Sequence, residues 1–181
     1  MERPYPTSGA SVDSHAYSDL GALSVKAPDN DDSQGARAAS AAIGIVLEPS
    51  QPGIISVRPF INYSYLWWIT GAFLSAHSEG HITVTTVTEA DGNVLDHRDL
   101  MLWSQTTKSD GYGDSADGIA WPPNVEVKFV ADPGTRYVAF IGAAVSGDQS
   151  GVRGVLVFPS WSKFSANVDL TIPWIVADLK D

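Results

Sequence analysis

From residue 41 onward, short apolar-rich segments alternate with breakers. "AAIGIVLE" (41–48) runs into "PSQPG", and "IISVRPF" (54–60) leads into the aromatic stretch "INYSYLWWITGAFL" (61–74). "HITVTTVTE" passes through "ADGN" to "VLDHRDLMLW", and "VEVKFVA" passes through "DPG" to "TRYVAFIGAAVS". After "GDQSG" come "VRGVLVFP" and the closing "NVDLTIPWIVADL". These segments are rich in Val, Ile, Thr and aromatics, and none sustains a 3.6-residue period. Asp91-Gly92 and Asp132-Pro133-Gly134 read as tight turns, because Gly accepts positive φ and Pro presets the first corner. About nine strands at such spacing predict an all-β fold: an antiparallel β-sandwich, jelly-roll-like or a related Greek key.

Alternation assigns faces. Val125, Val127 and Phe129 should be buried, with Glu126 and Lys128 wet. In the last strand Val168, Leu170, Ile172, Trp174 and Val176 share one side. Pro173 lacks an N–H for the ladder, so the strand should be an edge or bulged there. "TRYVAFIGAAV" is apolar on both sides, as in a central strand covered on both faces. In the aromatic stretch, Ile61, Tyr63, Tyr65, Trp67 and Ile69 form the expected core face. Phe60, Asn62, Ser64, Leu66 and Trp68 take the other, where Leu66 and Trp68 would make an exposed apolar contact patch.

Residues 1–40 read differently. They are rich in Ser, Ala, Gly, Asp and Pro, and Tyr5 and Tyr17 are their only aromatics. Such a segment buries too little apolar surface to fold by itself. The expected organisation is therefore an extended or disordered acidic N-terminal arm, 1–40, and a sandwich domain, 41–181. "DLGALSV" (19–25) is the place where the arm could dock on the domain or a neighbour.

Composition narrows the function. The chain has 181 residues, enough for one domain with a real core. A formal net charge of −10, with basic residues scattered, argues against nucleic acid as a direct partner. Cys is absent, which removes disulfides, thiolate metal sites and a Cys nucleophile. The N-terminus shows no apolar signal-peptide core. The longest apolar-rich stretch, 66–74, is about half of the ~20 residues a membrane helix needs, so a soluble chain is expected.

Candidate chemistry is sparse. His77 and His81 have metal-ligand spacing for a helix, but the surrounding residues are not helical, and His97 falls too far along its strand to join them. "DHRD" (96–99) places Asp96 and Arg98 on one strand face and His97 and Asp99, an acid/base neighbour pair, on the other. There is no G-x-S-x-G elbow and no phosphate-binding Gly-rich loop. "KSDGYGDSADGIAWPP" (108–123) reads as a Gly-rich acidic loop. Its Asp110, Asp114 and Asp117 offer oxygens to Ca²⁺ without matching the EF-hand pattern. It also presents Tyr112 and Trp121.

The sequence thus points to a non-enzymatic protein with no resident cofactor. The leading expectation is a structural subunit that associates with itself or with other subunits of a larger assembly, such as a virion or phage particle. The arm, the doubly apolar strand and the surplus of bulky aromatics motivate it. The alternative is a carbohydrate-binding module or lectin. Leu66, Trp68, Tyr112 and Trp121 are the candidate contact residues, since aromatic rings suit both protein interfaces and sugar faces.

Overall fold

The computed structural model describes residues 13–27, 35–149 and 161–180, and within them every regular element is a strand. The segment "VRGVLVFP" lies outside the described residues. The strands are β1 (Asp13–Tyr17), β2 (Ala22–Ala27), β3 (Gly35–Leu47), β4 (Gly53–Thr88), β5 (Val94–Ala120), β6 (Val127–Ala131), β7 (Tyr137–Gln149) and β8 (Trp161–Lys180). All pairings are antiparallel, and the fold is a two-sheet β-sandwich.

Two very long strands build both sheets. The first half of β4 pairs with β8 on one side and with the end of β5, then β6, on the other. This front sheet continues outward through β2 to β1. Between Ala72 and Ala76 the register slips, and beyond it β4 pairs with β7 instead of β8. The second half of β4, the start of β5, β7 and β3 form the back sheet. A β-bulge bends and twists a strand, so one chain segment can pass from one layer to the other. The sequence reading split 54–89 into separate strands; the paired backbone is continuous over 36 residues.

The core lies between the sheets and follows the expected alternation. Ile61, Trp67 and Ile69 are buried, with Tyr63 and Tyr65 packed on the core at its margin. Val125, Val127 and Phe129 are buried, while Lys128 is exposed. β7 is central in the back sheet, between β3 and β4, and buries Val138 on its outer side as well. Gly92 and Gly134 take φ of 70° and 80°, as the turn reading required.

Three expectations need revision. Residues 111–120, read as part of a loop, are the end of β5, paired one-to-one with 61–70. Gly, Asp and Ser are poor strand formers, but β4 supplies a complete ladder, and pairing overrides weak propensity. Trp174 and Val176 do not share the face of Leu170 and Ile172. The ladder jumps from Phe60↔Trp174 to Asn62↔Thr171, so one extra β8 residue sits beside Pro173 and inverts the side-chain phase. Trp174 is left 56% exposed, and Ile175 turns inward instead. Finally, His97 lies opposite Thr85, closer to His81 than the simple hairpin count placed it.

Within the segment read as an arm, 13–27 form β1 and β2. Leu23, Val25 and Ala27 are buried against the core, and β2 pairs with Ala166–Thr171 of β8. β3 begins at Gly35, so the sheet crosses the position where composition changes.

Candidate functional site

The four sequence-level contact residues do not gather. Leu66 (58% exposed) and Trp68 lie on the outer face of the front sheet, with Gly113 beside Trp68 in the register. Tyr112 lies opposite Ile69 on the inward side of the same strand pair, its ring 5.3 Å from that of Trp67. Trp121 stands just past the end of β5 and joins a different group.

The calcium candidates separate as well. Asp114 pairs with Trp67 and Asp117 with Ser64, which places them on opposite faces of β5. The side chain of Asp110 lies outside the described residues. Among the described residues, no group of three or more His, Asp or Glu is placed to hold a metal ion.

The histidines do meet carboxylates. His77, Glu79 and His81 project from one face of β4, because i, i+2 and i+4 share a side in a strand. His81 Nδ1 lies 2.8 Å from Asp99 Oδ1, and His77 Nε2 lies 3.4 Å from Glu79 Oε2. Ser146 Oγ donates to Glu79 Oε1 at 2.7 Å, and this bond is the main cause that lowers the Glu79 pKa. His97 bonds to Thr85 Oγ1 at 2.7 Å, so the expected His97–Asp99 pair is divided between two other partners.

Between the sheets, Trp103 stacks near Tyr65 and Trp67, with ring centroids 5.0 and 6.3 Å away. Its Nε1–H donates to Ser78 Oγ at 3.1 Å. The Tyr65 hydroxyl pKa is raised, first by burial and then by the Asp114 charge. This aromatic group is mostly core. It packs the first half of β4 against the core, and β4 in turn positions the outer surface.

On that outer surface, near the start of β4, three aromatic residues come together. Phe60 pairs with Trp174 of β8, and their ring centroids are 5.2 Å apart. Trp121 follows Ala120, whose partner is Ile61, so it comes alongside Phe60 from the β5 side. Trp121, Phe60 and Trp174 thus form a row across three chain segments. Trp121 and Trp174 are each 56% exposed.

Beside this row, Arg58, Phe60, Trp121, Pro122 and Val176 line a hollow of about 300 Å³. Arg58 forms an ion pair with Asp178, and about a third of its side chain remains accessible. Its Nε–H is buried without an acceptor. Next along the face, Ser56 Oγ donates to Glu126 Oε1 at 2.6 Å, and Lys128 Nζ lies 3.2 Å from Glu126 Oε2. The Ser56 bond is the chief cause that lowers the Glu126 pKa.

Sequence reasoning named Trp121 but missed Arg58, Phe60, Trp174 and Asp178. The signal for Arg58 was its position as the one charge inside "IISVRPF". Trp174 was hidden by the phase inversion at Pro173.

No family model matches the chain, and no curated protein matches it. Among solved structures, an isomalto-dextranase of Arthrobacter globiformis T6 complexed with panose aligns at 14% identity and a TM-score of 0.24. That alignment covers 73% of this chain and 16% of the other. TmCBM61 in complex with β-1,4-galactotriose aligns at 11% identity and a TM-score of 0.29, covering 88% and 70%. The infectious bursal disease virus Gt strain structure aligns at 12% identity and a TM-score of 0.23, covering 100% and 49%. The chain therefore spans under a fifth of the first chain's length and about half of the third's.

Proposed function

We propose that this chain is a non-catalytic β-sandwich that binds carbohydrate on the outer face of its front sheet. The observation that carries the reading is the row Trp121–Phe60–Trp174 beside a hollow lined by Arg58, which is ion-paired to Asp178. Sugar rings present C–H faces that stack on aromatics and hydroxyls that need fixed donors and acceptors. Arg58 supplies the donors and Asp178 the acceptors. A hollow lined by aromatic rings and one cation suits a small ligand with apolar faces and hydroxyls better than a flat protein partner. Leu66 and Trp68 lie further along the same outer face of β4 and would contact only a longer ligand.

The test is a glycan array followed by calorimetry on the full chain and on Trp121→Ala. Binding by the full chain, weakened tenfold or more in the variant with an unchanged thermal midpoint, supports the reading. Absence of binding to any arrayed glycan refutes it.

A second reading, an assembly subunit that forms homo-oligomers or attaches to a lattice such as a virion or phage particle, is favoured by a different surface. On the back sheet's outer face, Val87, Val94, Val138 and Phe140, with Thr83, Thr85, Thr88 and Glu89, border a mixed hollow of about 330 Å³. Val46, paired with Val138, is exposed on the same face. Apolar surface of this sort marks contact sites. Light scattering on the full chain and on Val94→Asp decides it: an oligomer lost in the variant supports assembly, and a monomer in both removes it.

A further inference from the structure

Resting on the carbohydrate reading, we infer that the ligand is a neutral oligosaccharide of at least two sugar residues, not a monosaccharide and not an acidic glycan. Two features of the site carry this.

The first is length. Trp121, Phe60 and Trp174 come from the end of β5, from β4 and from β8, which are adjacent in the front sheet. Neighbouring strands lie about 4.8 Å apart, so the row spans roughly 10 Å across the sheet. One pyranose ring covers a single aromatic platform. Engaging all three needs a chain that runs across the strands. The exposure of both outer tryptophans leaves the two ends of the row open to a continuing chain.

The second is charge. Among the described residues, the two cations nearest the row are matched: Arg58 by Asp178, and Lys128 by Glu126. Lys180 lies opposite Ile54, two residues beyond Asp178 on the same face of β8, so Asp178 stands between it and the aromatic row. A ligand carboxylate at the row would meet Asp178 before Lys180, on a chain of formal net charge −10. Neutral hydroxyls suit the same pair. One hydroxyl oxygen accepts from the accessible part of the Arg58 guanidinium, and its neighbour donates to Asp178. An ion pair offering a donor and an acceptor side by side is complementary to adjacent hydroxyls on one ring.

The experiment is calorimetric titration of the full chain with gluco-, galacto-, manno- and xylo-oligosaccharides of one to six residues. Oligogalacturonides of the same lengths run beside them. The expected result is that at least one neutral series binds, with Kd falling tenfold or more between the monosaccharide and the trisaccharide. Oligogalacturonides should bind at least tenfold more weakly. Trp174→Ala should abolish the length dependence, and Asp178→Asn should weaken every length tenfold or more, with circular dichroism confirming the fold of both. Equal affinity for mono- and trisaccharide overturns the length inference. Preference for oligogalacturonides overturns the neutrality inference while leaving the carbohydrate reading intact. If nothing in either set binds, both the inference and the reading beneath it fall.

Discussion

Gly80 and Trp103 face each other in the β4–β5 ladder, and the ring of Trp103 occupies the space where a Cβ on residue 80 would stand. The substitution Gly80→Ala therefore forces the indole to move. It has little room, with Tyr65 5.0 Å and Trp67 6.3 Å from its centroid and its Nε1–H tied to Ser78 at 3.1 Å. Overpacking of a filled core costs about 1–3 kcal/mol. Breaking the buried indole hydrogen bond adds about 1 kcal/mol. The expected loss is therefore about 2–4 kcal/mol, well above the typical effect of a single substitution. Urea unfolding followed by tryptophan fluorescence and by circular dichroism measures it as a shift in midpoint at constant slope. The cause is tested by repeating Gly80→Ala on a Trp103→Leu background, where the smaller side chain leaves space. There the cost should drop by at least ~1 kcal/mol, a coupling that a double-mutant cycle reads directly. A loss below ~0.5 kcal/mol in the native background, or the same loss in both, would refute the steric argument.

Further expectations follow from other parts of the fold. Leu23→Ala should destabilise by about 2–5 kcal/mol in the same unfolding assay, because Leu23 is 2% exposed in the core; an effect near zero would mean that β2 is not part of the cooperative unit. Glu79 and Glu126 have pKa values lowered below the ordinary 4.5, so the unfolded chain binds their protons more tightly. Their stabilisation is present above that ordinary value and disappears as pH falls through the lower folded values. Thermal midpoints measured from pH 6 downward should fall, and Ser56→Ala, which removes the main cause at Glu126, should make that fall shallower while lowering stability at neutral pH by about 1 kcal/mol. Gly134→Ala places a Cβ on a residue at φ 80° and should cost roughly 1–2 kcal/mol, although nothing lies within 4 Å to clash with it; a neutral result would show that the turn relaxes.

What the sequence determined by itself was set by local chemistry. The period-two alternation around Val125, Val127 and Phe129 and around Ile61–Ile69 is a property of the pleat, so it names the buried faces before any partner is known. Asp91-Gly92 and Asp132-Pro133-Gly134 carry their turn geometry in their own backbone preferences. Together these give an all-β antiparallel sandwich. What only the tertiary structure decided depends on partners distant in the chain. β5 extends through the Gly, Asp and Ser residues of 111–120 because the first half of β4 offers them a ladder, which no local propensity reveals. β2 is drawn into the core because β8 is there to pair with it. Above all, one extra residue beside Pro173 inverts the face of Trp174, and that single inversion brings it onto Phe60, next to Arg58 and Trp121. The site is assembled by register between segments that lie far apart in sequence, and register belongs to the pairing of strands, not to any one of them.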